Sequence, residues 1–588
     1  MKIKGIFANL VILFFSGSLA LAQEYTEING RIADQNGNEL AGVNIVIKGT
    51  LLGTTTNING EFSARFNTPP PLTLIISMVG FESQEIEIIE SSISDLSIIL
   101  KEQSIVLGQE IVVSASRVEE SIMESPVSIE KIGILDIQAS ASDSYYKTIA
   151  NLKGVDMTTS SINFQSFNAR GFNSTGNSRF VQLIDGMDTQ APALNFSIGS
   201  LTGPSDLDVE SIEFIPGAAS ALYGPNAFNG ILLISSKNPF EYQGLSAYYK
   251  QGINHIGNSN LNNYDPLINP GSIKFGPGQI KPMFEGSIRF AKSFKDKLAF
   301  KINFTFAKAT DWYGTSLNDR NLLAQPTPPE FNHNPGTDRL HAYGDEVALS
   351  LGLLATNPEF NAIIDDLGLG LDVSQLPNVV VSRTPYLEEP LVDYNAKNMR
   401  GSIGVFYRLT DKLELSYNYN AGYGTTVHTG AQRYSLQNFN IQQHKIELRS
   451  PEFFLRAYST FENSGKSYIA DLTGILINDT WEENELWFGT YGASYLYATQ
   501  INELPPESAH LYARQAADNN MYTPGSSNFL NAKDSIKAMV VPYGSKFADN
   551  SRMYQADAQY NLASKLEFAE ILLGASVRMF DLRSNGTI

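Results

Sequence analysis

Residues Leu298-Ala-Phe-Lys-Ile-Asn-Phe-Thr-Phe-Ala307 alternate without a break. Leu298, Phe300, Ile302, Phe304 and Phe306 fall on one face, and Ala299, Lys301, Asn303, Thr305 and Ala307 on the other. Side chains of an extended chain point to opposite sides in turn, so such a strand is greasy on one face and wettable on the other. Leu413, Leu415, Tyr417, Tyr419 and Tyr423 repeat the pattern against Glu414, Ser416, Asn418 and Asn420, as do residues 554–562. Less clean versions occur at 401–409, 453–461, 487–497 and 571–580. Ten-residue segments with aromatic ends fit strands that have lipid on one face and water on the other. A large soluble antiparallel sheet has the same period. Beyond the N-terminus no stretch is continuously apolar over the ~20 residues that a helical span needs. A membrane-embedded chain of this kind must therefore form a closed barrel.

The N-terminus reads as an export signal. Met1-Lys-Ile-Lys4 is basic, Ile6 to Phe15 is apolar, and Ser16 to Ala22 ends in a small-x-small pattern, with Gln23 as the first mature residue. A short membrane helix is the alternative reading, but the apolar run is too short for a span. The formal net charge of -19 argues against nucleic acid, whose phosphates need clustered Lys and Arg. The chain has no cysteine, which excludes disulfides, thiolate metal sites, thiol nucleophiles and a bacterial lipid anchor. Charged residues make up 18%, somewhat below the ~25% of soluble domains.

The expected organisation is a signal peptide at 1–22, a β-sandwich at 23–100, a linker at 101–124, a small mixed α/β domain at 125–240 and strands of a barrel at 241–588. In the sandwich, strands at Ile28, Val43, Thr54 and Leu72 are separated by Asn-Gly and Pro turns. In the linker, Glu110, Ile111, Val112, Val113, Ser114, Ala115, Ser116 and Arg117 form a β-prone run. A lone edge strand offers free backbone donors and acceptors to a partner sheet. The same run also reads as the last strand of the sandwich or the first of the next domain. Between the barrel segments, 309–395 and 500–550 are long and polar, with a helix at Pro358 to Leu367, whereas Lys295-Asp-Lys297 and Asp411-Lys412 read as tight turns. Long connections at one end and short ones at the other are the asymmetry of outer-membrane barrels.

The 125–240 segment carries the most specific motifs. Phe167-Asn-Ala-Arg-Gly-Phe172 is followed by Leu183-Ile-Asp-Gly186, then by Ile212-Glu-Phe-Ile-Pro-Gly217 and Ala221-Leu-Tyr-Gly224. In order and spacing these resemble the plug domain of TonB-dependent outer-membrane receptors. The 25–100 segment is similar to the carboxypeptidase-regulatory-like domain that precedes plugs in Bacteroidetes receptors, and 110–117 resembles the TonB box. The resemblance implies a mainly β protein: a sandwich, an α/β plug and an antiparallel transmembrane barrel of about 22 strands. Residues after 245 suffice for about ten to twelve strands at ~10 residues each plus connections. The sequence ends at Asn585-Gly-Thr-Ile588 in a turn with no terminal aromatic, so an N-terminal part of a longer reading frame is expected.

Arg170, Gly171, Phe172, Asp185, Gly186, Glu213, Pro216, Gly217, Tyr223 and Gly224 are the plug positions that match the family. Arg170, Asp185 and Glu213 have two readings: ion pairs that fix plug loops to one another or to the barrel wall, or holdfasts of a plug that must release under force. The glycines suit turns with positive φ. No catalytic constellation, cofactor motif or metal-ligand spacing is present: the histidines are scattered and no nucleophile elbow or phosphate loop occurs. Asp365-Asp366 and Glu388-Glu389 read as solvated loop surface. The resemblance implies an importer rather than an enzyme, in the outer membrane of a Gram-negative cell. It would take up a siderophore, vitamin, oligosaccharide or peptide, driven by TonB with ExbB and ExbD. Outer-membrane lipid and a SusD-like surface lipoprotein are further implied partners. A surface adhesion protein uncoupled from TonB is the alternative.

Overall fold

A computed structural model describes residues 25–50, 52–78, 81–101, 111–112, 120–121, 127–142, 144–171, 176–195, 197, 199–224, 226–256, 279–320, 334–430, 432–562, 566 and 571–587. The signal-peptide reading at 1–22 lies outside them. So do Glu110, Val113, Ser114, Ala115, Ser116 and Arg117 of the β-prone run, and Phe172.

The chain divides into two compact units. The first holds a sandwich of two sheets. Strands β1 (Thr26–Asp34), β2 (Asn44–Ile47), β3 (Gly53–Thr55), β4 (Glu61–Phe66), β5 (Leu72–Ser77), β6 (Gln84–Ile88) and β7 (Ser92–Leu100) form one sheet in the order β4-β1-β7 and another in the order β3-β2-β5-β6. The alternate residues Phe62, Ala64 and Phe66 of β4 and Leu72, Leu74 and Ile76 of β5 turn inward to a common apolar core with Ile28 and Ile32. Alternation in sequence has become two facing sheets.

The second unit begins with a five-stranded sheet. Its strands are β8 (Glu130–Gly133), β11 (Phe180–Ile184), β12 (Met187–Asp188), β13 (Val209–Pro216) and β14 (Gly230–Ser236), in the order β8-β13-β14-β11-β12. A hairpin of β9 (Val155–Ser161) and β10 (Phe164–Ala169) and a short helix α1 (Tyr145–Thr148) pack with it over Ile212, Phe214, Leu232 and Ile234. The remainder is dominated by one long antiparallel sheet. Strands β15 (Gly244–His255), β16 (Ile280–Phe294), β17 (Leu298–Thr310), β18 (Asn395–Thr410), β19 (Leu413–Thr429), β20 (Arg433–Arg449), β21 (Phe453–Asn463), β22 (Arg552–Asn561) and β23 (Leu572–Asp581) each pair with the next. The short strand Tyr468–Ile469 pairs beside β20 and completes the ten strands of this sheet. The sheet is open: β15 and β23 are its two edges.

The alternation is built inside out. On β17, Ile302 is 45% exposed and Phe304 44%, whereas Lys301 is 3% and Asn303 5%. On β19, Leu415, Tyr417 and Tyr423 are exposed while Ser416, Asn418 and Asn420 are buried. Water would drive the opposite arrangement, because exposing apolar area costs about 25 cal/mol per Å². Only an apolar solvent outside the sheet makes this sequence stable in this fold. The fold is mainly β, with an incomplete transmembrane barrel around a mixed domain.

Tight turns at Lys295-Asp-Lys297 and Asp411-Lys412 close one end of the sheet. At the other end, residues between β17 and β18 and between β21 and β22 form a separate layer with its own core. Helices α2 (Pro358–Asp366), α3 (Ala470–Trp481), α4 (Asn484–Gln500), α5 (Pro506–Ala517) and α6 (Ser527–Ala538) surround Trp487, Tyr491, Phe360, Leu496 and Phe529. This corrects the strand expected at 487–497. Trp487, Tyr491 and Tyr495 are four apart, a spacing that satisfies a helix as well as a strand, and burial of Phe488, Gly492 and Leu496, each one residue further on, selects the helix. It also corrects the solvated reading of Glu388, which is fully buried at the foot of this loop domain.

Candidate functional site: the plug seat in the barrel wall

The polar face of the sheet is buried because the mixed domain fills the space it lines. Asp208, just before β13, is the centre of the seat. It accepts from Arg289 Nε at 2.6 Å, from Lys301 Nζ at 3.1 Å and from Asn303 Nδ2 at 3.0 Å, all on neighbouring barrel strands. Lys301 also donates to Ser236 Oγ at 2.6 Å and to the Lys237 carbonyl at 2.9 Å. A second tether runs from Arg578 on β23 to Asp188 at 3.0 Å, with Gln443 Nε2 on the Asp188 carbonyl at 2.7 Å. Higher along β21, Glu462 accepts from the backbone N–H of Ala193 at 3.1 Å. Buried, charge-assisted contacts of this kind are individually strong and cannot be broken one partner at a time without cost.

The family-matched positions sit around this seat. Asp185 and Gly186 occupy a left-handed turn, φ +49° and +78°. The Asp185 carboxylate accepts from the backbone N–H of Ser236 at 2.8 Å and from its hydroxyl at 2.6 Å, and Lys445 Nζ donates to the Asp185 carbonyl at 2.9 Å. Burial alone would raise this carboxyl, but Lys301 and Lys445, with the Ser236 bonds, hold it below the usual carboxylate range. Arg170 and Gly171 form a second left-handed turn, φ +58° and +75°. Arg170 lies against Gly217 and donates to the Pro216 carbonyl at 3.1 Å, so the Arg-Gly turn locks the Pro-Gly turn. Glu213 is buried in β13, opposite Lys131 and Leu233. Tyr223 is buried and Gly224 has φ +92°. Ile111 and Val112 form a two-residue strand.

Gly186 also explains a close approach. A Cβ there would lie 1.6 Å from Arg456 Nη1, and Arg456 pairs with Glu447 at 3.3 Å and Asp557 at 3.4 Å. Gly186→Ala is expected to destabilise the plug by about 1–2 kcal/mol, from the left-handed backbone and the displaced guanidinium. Denaturant unfolding followed by plug amide exchange measures this; an unchanged midpoint would contradict the packing. Asp208, Asp188, Arg289, Arg456 and Arg578 escape sequence reasoning because their partners are remote in the chain; the lone charges on otherwise polar-neutral faces of alternating strands were the available signal.

Beside this seat a cavity of about 230 Å³ lies between the plug and the wall, lined by Tyr145, Asn163, Lys250, Glu285, Asn398 and Arg400. Its lining is mixed: these polar groups stand among apolar ones from Ile162, Met283 and Phe284.

Two family models match the chain: the CarboxypepD_reg-like domain over residues 28–113 and the TonB-dependent Receptor Plug Domain over 121–231. The second covers the seat turns and most of the five-stranded sheet. These matches, with the relatives below, support a TonB-dependent receptor of the Bacteroidetes type. Among similar proteins, TonB-dependent receptor P39 of Formosa agariphila is 27% identical over 269 residues, 44% of this chain and 24% of the relative. TonB-dependent receptor SusC of Bacteroides thetaiotaomicron is 25% identical over 238 residues, 40% of this chain and 23% of the relative. The receptor thus aligns with about a quarter of the length of the curated relatives it matches. Its likeness to the ferric enterobactin receptor PfeA of Pseudomonas aeruginosa has a TM-score of 0.37 at 12% identity, covering 79% of this chain and 50% of that one, too low to carry an argument. The relatives are receptors and not enzymes.

Proposed function

We propose that this receptor imports a scarce solute across the outer membrane, with force delivered from the periplasm by TonB, ExbB and ExbD. The observation that carries the reading is a folded plug held by buried ion pairs inside a sheet whose outer face is apolar. A plug held this firmly blocks the bore. Opening it takes work, and a chain with no nucleotide-binding motif must draw that work from a partner. The β-prone run at 110–117 precedes the plug and can offer its backbone to a partner strand. Loops beyond the open end, with the loop domain they build, would meet the solute first. A siderophore, vitamin, oligosaccharide or peptide all remain in the solute class, and a SusD-like surface lipoprotein would cover the same end.

Deletion of Glu110 to Arg117 is expected to leave solute binding intact and abolish uptake. Radiolabelled solute accumulation in cells, beside binding to isolated outer membranes, checks this. Normal accumulation in the deletion strain would contradict the coupling and favour a surface-binding role.

A further inference from the structure

We propose that the loop domain holds a divalent cation of the calcium class at Asp338, Asp345 and Glu346. The three residues lie between β17 and α2, where Gly344, at φ +117°, turns the chain between Asp338 and the other two. One carboxylate oxygen from each lies within 4.8 Å of the others. Oxygens on opposite sides of a calcium ion at 2.3–2.6 Å stand about 4.6–5.2 Å apart. Three oxygens gathered this closely can share one coordination shell of such an ion.

Two arginines already touch the cluster, and the way they do so matters. Arg320 reaches Asp338 Oδ1 at 2.9 Å and Glu346 Oε1 at 3.3 Å, and Arg339 reaches Asp345 Oδ2 at 3.1 Å. These pairs use one oxygen of each carboxylate. Asp345 is 1% exposed, and among the described residues its Oδ1 has no hydrogen-bond partner. A buried, unsatisfied oxygen on a carboxylate that neighbours two others is costly unless something positive meets it. The charges leave room for such a group: Asp319 accepts from the Asp338 N–H at 3.0 Å, and Asp471 acts on Glu346, so five carboxylates stand against two guanidiniums.

The donor set selects the ion. All donors are hard oxygens with no imidazole or thiolate, which disfavours zinc and copper. The oxygens come from a turn and a loop, which suits the flexible shell of calcium better than the strict octahedron of magnesium. Glu346 is partly exposed, so water can complete the shell and the ion can enter from that side. Bound there, the cation would pin residues 334–346 of the long connection to the loop domain. The proposal is independent of which solute the receptor takes.

The test is calorimetric titration of detergent-solubilised, EDTA-stripped receptor with calcium chloride and, separately, magnesium chloride. One calcium site is expected, with weaker magnesium binding and a calcium-dependent rise in the unfolding temperature. Glu346→Gln keeps an acceptor for the Gly344 N–H and should fold while binding calcium at least about tenfold more weakly. Asp345→Asn should lose binding further; it also weakens the hold on Arg339, so Glu346→Gln is the deciding variant. No calcium binding by the unaltered receptor up to about 10 mM, above the range of extracellular calcium modules, would overturn the proposal. Equal binding by folded Glu346→Gln would overturn it as well.

Discussion

Asp208→Ala is expected to loosen the plug by about 3–5 kcal/mol, the cost of leaving buried charges without their counter-ion. Arg289 and Lys301 are both buried, and both point their charge at this one carboxylate. Lys301 would keep Ser236 and the Lys237 carbonyl, but the Arg289 Nε bond and the Asn303 amide bond to this carboxylate would be lost. Hydrogen exchange of plug amides across β13 and β14 should speed up by about 10²- to 4 × 10³-fold, since each factor of ten is worth about 1.4 kcal/mol. Asp208→Asn keeps the shape and one acceptor and should fall between. Exchange at the unaltered rate in Asp208→Ala would mean that the seat bears no load.

The second large effect is expected at the other end of the barrel. Glu388 is fully buried and accepts from Arg433 Nη2 at 2.9 Å, from Tyr343 Oη at 2.6 Å and from Tyr394 Oη. Burial alone would raise its carboxyl, but Arg433, His341 and the two phenols keep it below the usual range, so it is charged at neutral pH. Glu388→Ala strands a buried guanidinium and two phenols and should cost the loop domain about 3–5 kcal/mol. Limited proteolysis should then cut between 311 and 394 while the strands of the barrel stay intact. Glu388→Gln, which retains an acceptor, should be cut more slowly. A digestion pattern identical to that of the unaltered receptor would refute the role assigned to Glu388.

What could be read in advance follows from where each signal resides. The strands of the barrel were legible because lipid on one side and a polar interior on the other write a contrast at every residue, as from Leu298 to Ala307. The plug turns were legible because the left-handed backbone at Gly171, Gly186, Gly217 and Gly224 restricts residue choice locally. The polar face was read as facing water, yet Lys301, Asn418, Gln443 and Lys445 are buried, since the plug occupies that space. The seat itself was not legible: Asp208 meets residues 81, 93 and 95 positions away, and nothing local marks such a pairing. Glu388 was misread for the same reason, because its partner Arg433 lies 45 positions on.

The central claim is that the plug fills the bore of the lipid-facing sheet. Ser161 on the plug hairpin and Thr426 on β19 are hydrogen-bonded through their hydroxyls, 265 positions apart and fully buried. The chain has no cysteine of its own, so a Ser161→Cys, Thr426→Cys pair is the only thiol pair present. Side chains in direct contact bring their Cβ atoms near the spacing that a disulfide requires. Non-reducing electrophoresis of the double variant from cell envelopes, after thiol blocking and alkylation under denaturing conditions, is predicted to show a complete internal crosslink, with no free thiol. Two free thiols per chain in folded receptor would place the plug elsewhere and contradict the account.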